Sequence, residues 1–127
     1  MAHIFLSQLK TVLNNCIDEL EQIHFLFSRN PETDFTRKRK LTFKEYIQFM
    51  LLMQGKTVSN EILDFFSHFL SAPSKSAFTQ QRYKLLPEGW DFLFHSFVTQ
   101  CRSLSDDLYC GYRLLACDGS DVNIARN

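Results

Sequence analysis

The residues of this chain with the greatest chemical reach lie in two stretches, the acidic turn of "LLACDGSDV" at residues 114–122 and the basic, amide-bearing "KSAFTQQRYK" at residues 75–84. Asp118 closes a short apolar run. A carboxylate at the end of a buried strand is held rigidly enough to ligate a divalent cation, and the Gly-Ser that follows leaves room for substrate. Two-metal phosphoryl transfer needs several oxygen ligands, however, and Asp121 lies past the turn where its side chain is expected to point elsewhere. On local chemistry alone "DGSD" is a plain β-turn.

The second stretch carries recognition chemistry. At helical spacing Ser76, Thr79, Gln80 and Tyr83 fall at i, i+3, i+4 and i+7, a face made only of polar or amphipathic side chains. Phe78, Gln81, Arg82 and Leu85 share the other side. As the second helix of a helix-turn-helix, this segment would present Gln80 to adenine, and Ser76 and Thr79 to neighbouring base edges. Lys75, Arg82 and Lys84 would contact phosphates, with no acidic residue between Asp64 and Glu88 to oppose them. The alternative is an ordinary solvated helix of an all-α bundle.

A further cationic run, "TRKRKLTFK", holds Arg37, Lys38, Arg39, Lys40 and Lys44. It reads either as a clamp on a nucleic-acid backbone or as a solvated linker. The net charge is zero, yet residues 35–87 carry nine basic and three acidic side chains while both flanks are acidic. That asymmetry points toward a polyanionic partner.

Other chemistry is less well supported. Cys16, Cys101, Cys110 and Cys117 form no CxxC pair, and the four histidines complete no zinc spacing, so the thiols are expected to be reduced and partly buried. No apolar run approaches the roughly 20 residues of a membrane span, and the amino terminus lacks the order of a signal peptide. A soluble, cytoplasmic protein is expected.

The elements that must position these residues are helical. Leu9, Leu13, Cys16, Leu20, Ile23 and Phe27 make an amphipathic stripe. In "LTFKEYIQFMLLMQG", Thr42 and Glu45 form a capping box, Leu41 and Tyr46 a hydrophobic staple, and Gly55 a stop. This helix, apolar on most faces, should be central. Ser59 can cap "NEILDFFSHFL", with Ile62, Phe65, Phe66 and Phe69 inward, and "SAPS" is a tight turn into the 75–86 helix. Trp90, Leu93, Phe94, Phe97, Val98, Cys101 and Leu104 stripe a last helix. "YRLLAC" then reads as a strand buried on both faces. The fold class expected is mainly α, a helical bundle with a helix-turn-helix-like pair.

Three blocks, "DFTRKRKLTF" at 34–43, "PSKSAFTQQR" at 73–82 and "YRLLACDGSDVNIARN" at 112–127, resemble the amino-terminal third of DDE-type insertion-sequence transposases, in the group named after insertion sequence four. They occur in the family's order with suitable intervals, and with the helices between them cover most of residues 34–127. The resemblance implies a helical DNA-binding domain over 1–108, and over 109–127 the start of an RNase H-like α/β domain that cuts and rejoins double-stranded DNA at terminal inverted repeats. Asp118 would be the first acid of the Asp-Asp-Glu triad and a ligand of Mg2+. Cys117 stands where the family has an apolar residue. The second Asp and the Glu belong downstream of Asn127, so the chain is expected to be a truncated product or fragment, catalytically inactive alone. A homodimer is possible within this reading. The rival is a helical protein-interaction module without DNA affinity, and a complete small nuclease is a third, less supported reading.

Overall fold

A computed structural model describes residues 2–37, 40–67, 72–104 and 110–112. These residues are mainly helical, in the order α1 (Ala2–Gln22), a 3-10 turn (His24–Phe27), α2 (Phe43–Leu52), α3 (Val58–Phe66), α4 (Lys75–Arg82) and α5 (Pro87–Arg102). An isolated antiparallel bridge joins Ser28 to Leu85. The expected strand at "YRLLAC" lies, apart from Tyr112, outside the described residues, as does Asp118.

Helix α1 packs along α5 and α2. Cys16, Ile17 and Leu20 are buried, and Val12 and Leu13 pack against them. The amphipathic stripe extends to Phe27 in the sequence, but the α-helix stops at Gln22. His24 Nδ1 lies 2.6 Å from the Glu21 carbonyl, and Ser28 Oγ donates to the His24 carbonyl at 2.7 Å. Side chains therefore occupy carbonyls at the helix end, and the chain tightens into a 3-10 turn. Phe27 still reaches the core, 5.4 Å from the ring of Phe92.

Helix α2 forms as its capping box dictates: the Glu45 N–H donates to Thr42 Oγ1 at 3.2 Å, and the Thr42 N–H to Glu45 Oε2 at 2.9 Å. Leu41 and Tyr46 are both buried, as a hydrophobic staple requires. The helix buries Phe43, Tyr46, Ile47 and Phe49 while Leu51 and Leu52 stay exposed, so it is central on one face only.

The cap of α3 is Thr57 rather than Ser59. Glu61 decides this, because its carboxylate reaches back to accept the N–H groups of Gln54 and Lys56, each at 2.8 Å, and draws residues 54–56 into a turn two positions earlier. Gly55, with φ of 83°, supplies the left-handed conformation that this turn needs. At the other end Ser67 takes φ of 50° and terminates α3 before the expected turn. Residues 68–71, which include Phe69 and the start of the expected turn, lie outside the described residues, and α4 begins at Lys75.

Ser74 caps α4, its Oγ accepting from the Ala77 N–H at 3.1 Å. This helix ends at Arg82 instead of continuing to Leu86, because Leu85 pairs with Ser28 and the Leu86 N–H donates to the Phe27 carbonyl at 2.8 Å. Pro87 then opens α5 at a position where its missing N–H costs nothing. Gly89 lets α5 approach this seam: a Cβ there would stand 2.8 Å from Leu85 Cδ1 and 3.2 Å from Phe27 Cβ. In α5 Leu93 is buried, but Phe94, part of the expected apolar stripe, is exposed. Phe92, off that stripe, packs inward in its place.

Candidate nucleic-acid interface

Helix α4 is held by Phe78, Gln81 and the following Leu85, all buried. With these inward, Ser76, Gln80 and Tyr83 are exposed and Thr79 half-buried, so the polar face inferred from helical spacing faces out. The Thr79 hydroxyl donates to the Lys75 carbonyl at 2.9 Å, which leaves its oxygen free to accept but turns its proton inward. Arg82, assigned by spacing to the core side, is exposed. Its guanidinium, at the carboxyl end of α4, remains close enough to Tyr46 to act on that phenol. Burial pushes the Tyr46 hydroxyl up to about 12, and Arg82 partly opposes the shift.

The basic segment returns alongside α4. Lys40 borders the same cleft as Lys75, together with Leu41, Ser59 and Gln81. Arg37 borders the same recess as Lys84, with Glu32, Thr33 and Asp34. Cations some 40 residues apart in sequence are therefore brought to the two ends of one short helix. Lys38 and Arg39 lie outside the described residues.

Lys84 differs from its neighbours. Its ammonium lies 3.9 Å from Asp34 and 5.7 Å from the centre of the Phe35 ring, and its side chain is only 22% exposed. Lys44 likewise pairs with Asp18 and Lys56 with Asp64. Lys84 is thereby a structural cation more than a free phosphate contact. Asp34 is the hub: buried, it accepts the Asn30 N–H at 2.9 Å and closes the 30–34 turn that precedes the basic segment.

Arg29 is a basic residue that spacing arguments miss. It is exposed, its Nε donates to the Tyr83 carbonyl at 3.1 Å, and its N–H donates to the Lys84 carbonyl at 2.8 Å. Its guanidinium therefore sits at the carboxyl end of α4, the helix whose last residue is the exposed Arg82. Only the pairing of residues 28 and 85 brings it there, and nothing local in "SRNPET" signals it.

No group of three His, Cys, Asp or Glu side chains suited to a metal ion occurs among the described residues. No helix among them is long and apolar enough to cross a membrane. Cys16, Cys101 and Cys110 are free thiols, respectively buried, half-buried and exposed. No known protein-family model, curated protein or solved structure matches the chain.

Proposed function

We propose that the helical part of this chain binds duplex DNA, as the amino-terminal portion of a DDE-type transposase recognising terminal inverted repeats. The observation that carries this reading is the convergence at α4. An exposed face of Ser76, Gln80 and Tyr83, with Thr79 beside it, is flanked by Lys75 and Lys40 at one end and by Arg82, Arg29 and Arg37 toward the other. Side chains that can read base edges thus lie between side chains that can hold phosphates. In this reading the α3–α4 pair serves as the helix-turn-helix. In the same reading Asp118 is the first acid of the catalytic triad; Mg2+ would supply charge neutralisation at the scissile phosphate once the remaining acids join it.

A mobility-shift titration tests the proposal. Binding is expected at about 50 mM salt and should fall steeply as salt rises, because each phosphate contact releases counterions. Lys75→Ala with Arg82→Ala should flatten the salt slope by about 2, one unit per lost contact, whereas Lys84→Met should change it little. Absence of any shift at low salt would defeat the reading.

A protein-interaction module is the second reading, favoured by exposed Phe25, Leu26 and Phe94. It predicts self-association or partner binding that survives removal of Lys75 and Arg82, with no affinity for DNA.

A further inference from the structure

Tyr83 is an aromatic side chain at the carboxyl end of α4 that the core leaves out. Phe78, Gln81 and Leu85, on either side of it in sequence, are buried, while Tyr83 is 66% exposed. Two arginines flank its backbone. Arg82 precedes it, and Arg29 Nε donates to the Tyr83 carbonyl at 3.1 Å while the Arg29 N–H donates to the Lys84 carbonyl at 2.8 Å. Those bonds occupy carbonyls just past the end of a helix, where partial negative charge would otherwise repel a phosphate. Both arginines are exposed, and neither forms an ion pair among the described residues. An exposed ring beside free cations suits a single strand of nucleic acid, because the cations hold its backbone and the ring takes the face of a base. In a duplex each base face is stacked on its neighbours and only the edges open into the grooves. There the Tyr83 ring would have no face to meet.

We infer, resting on the DNA-binding reading above, that Tyr83 stacks on an unpaired base and that this surface prefers DNA in which a duplex gives way to single strand. Ser76 and Gln80 on the outward face of α4 then meet the paired part. The carboxyl end of the helix, with Tyr83, Arg82 and Arg29, meets the unpaired strand. Stacking on an aromatic ring accepts every base, since every base has a π-face. The contact therefore selects the form of the DNA rather than its sequence.

The test is fluorescence anisotropy of the whole chain with short labelled duplexes at about 50 mM salt, where phosphate contacts are strong. One probe carries an unpaired thymidine tail, tried on either strand. Its comparison carries an abasic tail of the same length, with the same phosphates and no base faces. The thymidine-tailed duplex is expected to bind about tenfold more tightly than the abasic one, the worth of one base stacked on an aromatic ring. Tyr83→Ala should remove that difference, and Tyr83→Trp, which keeps a ring at this exposed position, should retain it. Equal affinity for the two tails would overturn the inference while leaving DNA binding in place. A preference that survives in Tyr83→Ala would overturn it as well, by locating the stack elsewhere. Absence of binding to every probe, a blunt duplex included, would instead defeat the DNA-binding reading and this inference with it.

Discussion

Tyr46 concentrates the chemistry of this core in one side chain. It is 1% exposed, lies among Phe35, Phe78 and Trp90, and its hydroxyl finds no partner among the described residues. Because burial raises its pKa from 10.0 to about 12, the unfolded chain loses the phenolic proton first as pH rises. The stabilising difference is whole below pH 10 and disappears as pH approaches 12, a loss of roughly 3 kcal/mol at 1.36 kcal/mol per pKa unit. Denaturant melts between pH 9 and about 12 should show this slope, and Tyr46→Phe should flatten it. At neutral pH the same substitution should be neutral or stabilising by up to about 1 kcal/mol, since it removes an unmatched hydroxyl. Beside it Phe35 holds a left-handed φ of 59°, which costs about 1–2 kcal/mol, in order to place its ring 4.9 Å from Phe43 and under Lys84. Aromatic packing offsets that strain.

Among the elements, α3 and α4 depend most on single contacts at their ends. Glu61 is buried and accepts two backbone N–H groups, so Glu61→Ala strands both donors in a turn that Gly55 alone makes possible. The expected loss is about 2–4 kcal/mol by chemical denaturation, with hydrogen exchange accelerating first at Gln54 and Lys56. A loss below about 0.5 kcal/mol would mean that water replaces the carboxylate. Ser74→Ala removes the cap of an eight-residue helix and should cost about 1 kcal/mol, which the same melts can measure. These helix ends explain where sequence and structure part. The Thr42–Glu45 box was legible because its two partners are three residues apart. The cap at Thr57 was not, because Glu61 acts on the turn before the helix; the early end of α4 was not, because its cause is Ser28.

For the whole molecule, the pairing of residues 27–29 with 84–86 joins the α1 end to the α4–α5 junction, and Gly89 allows α5 to close over it. Packing of α1 on α5 then sorts the thiols. Burial, then nearby Cys16, pushes the Cys101 thiol up, so it is both shielded and protonated. Alkylation followed by mass spectrometry should therefore label Cys110 first, Cys101 slowly, and Cys16 only in denaturant. Equal labelling of Cys16 and Cys101 under native conditions would refute the α1–α5 packing. The sequence by itself determined the helical class, most of the inward faces, the capping box of α2 and the outward polar face of α4. Each of these follows from spacing within about one or two turns of chain. The tertiary structure alone decided that Phe94 faces out and Phe92 in, that Lys84 is engaged by Asp34 and Phe35, and that Arg29 joins α4. Those outcomes rest on contacts between residues some 50 or more positions apart, as between Arg29 and Tyr83, and no local pattern encodes them.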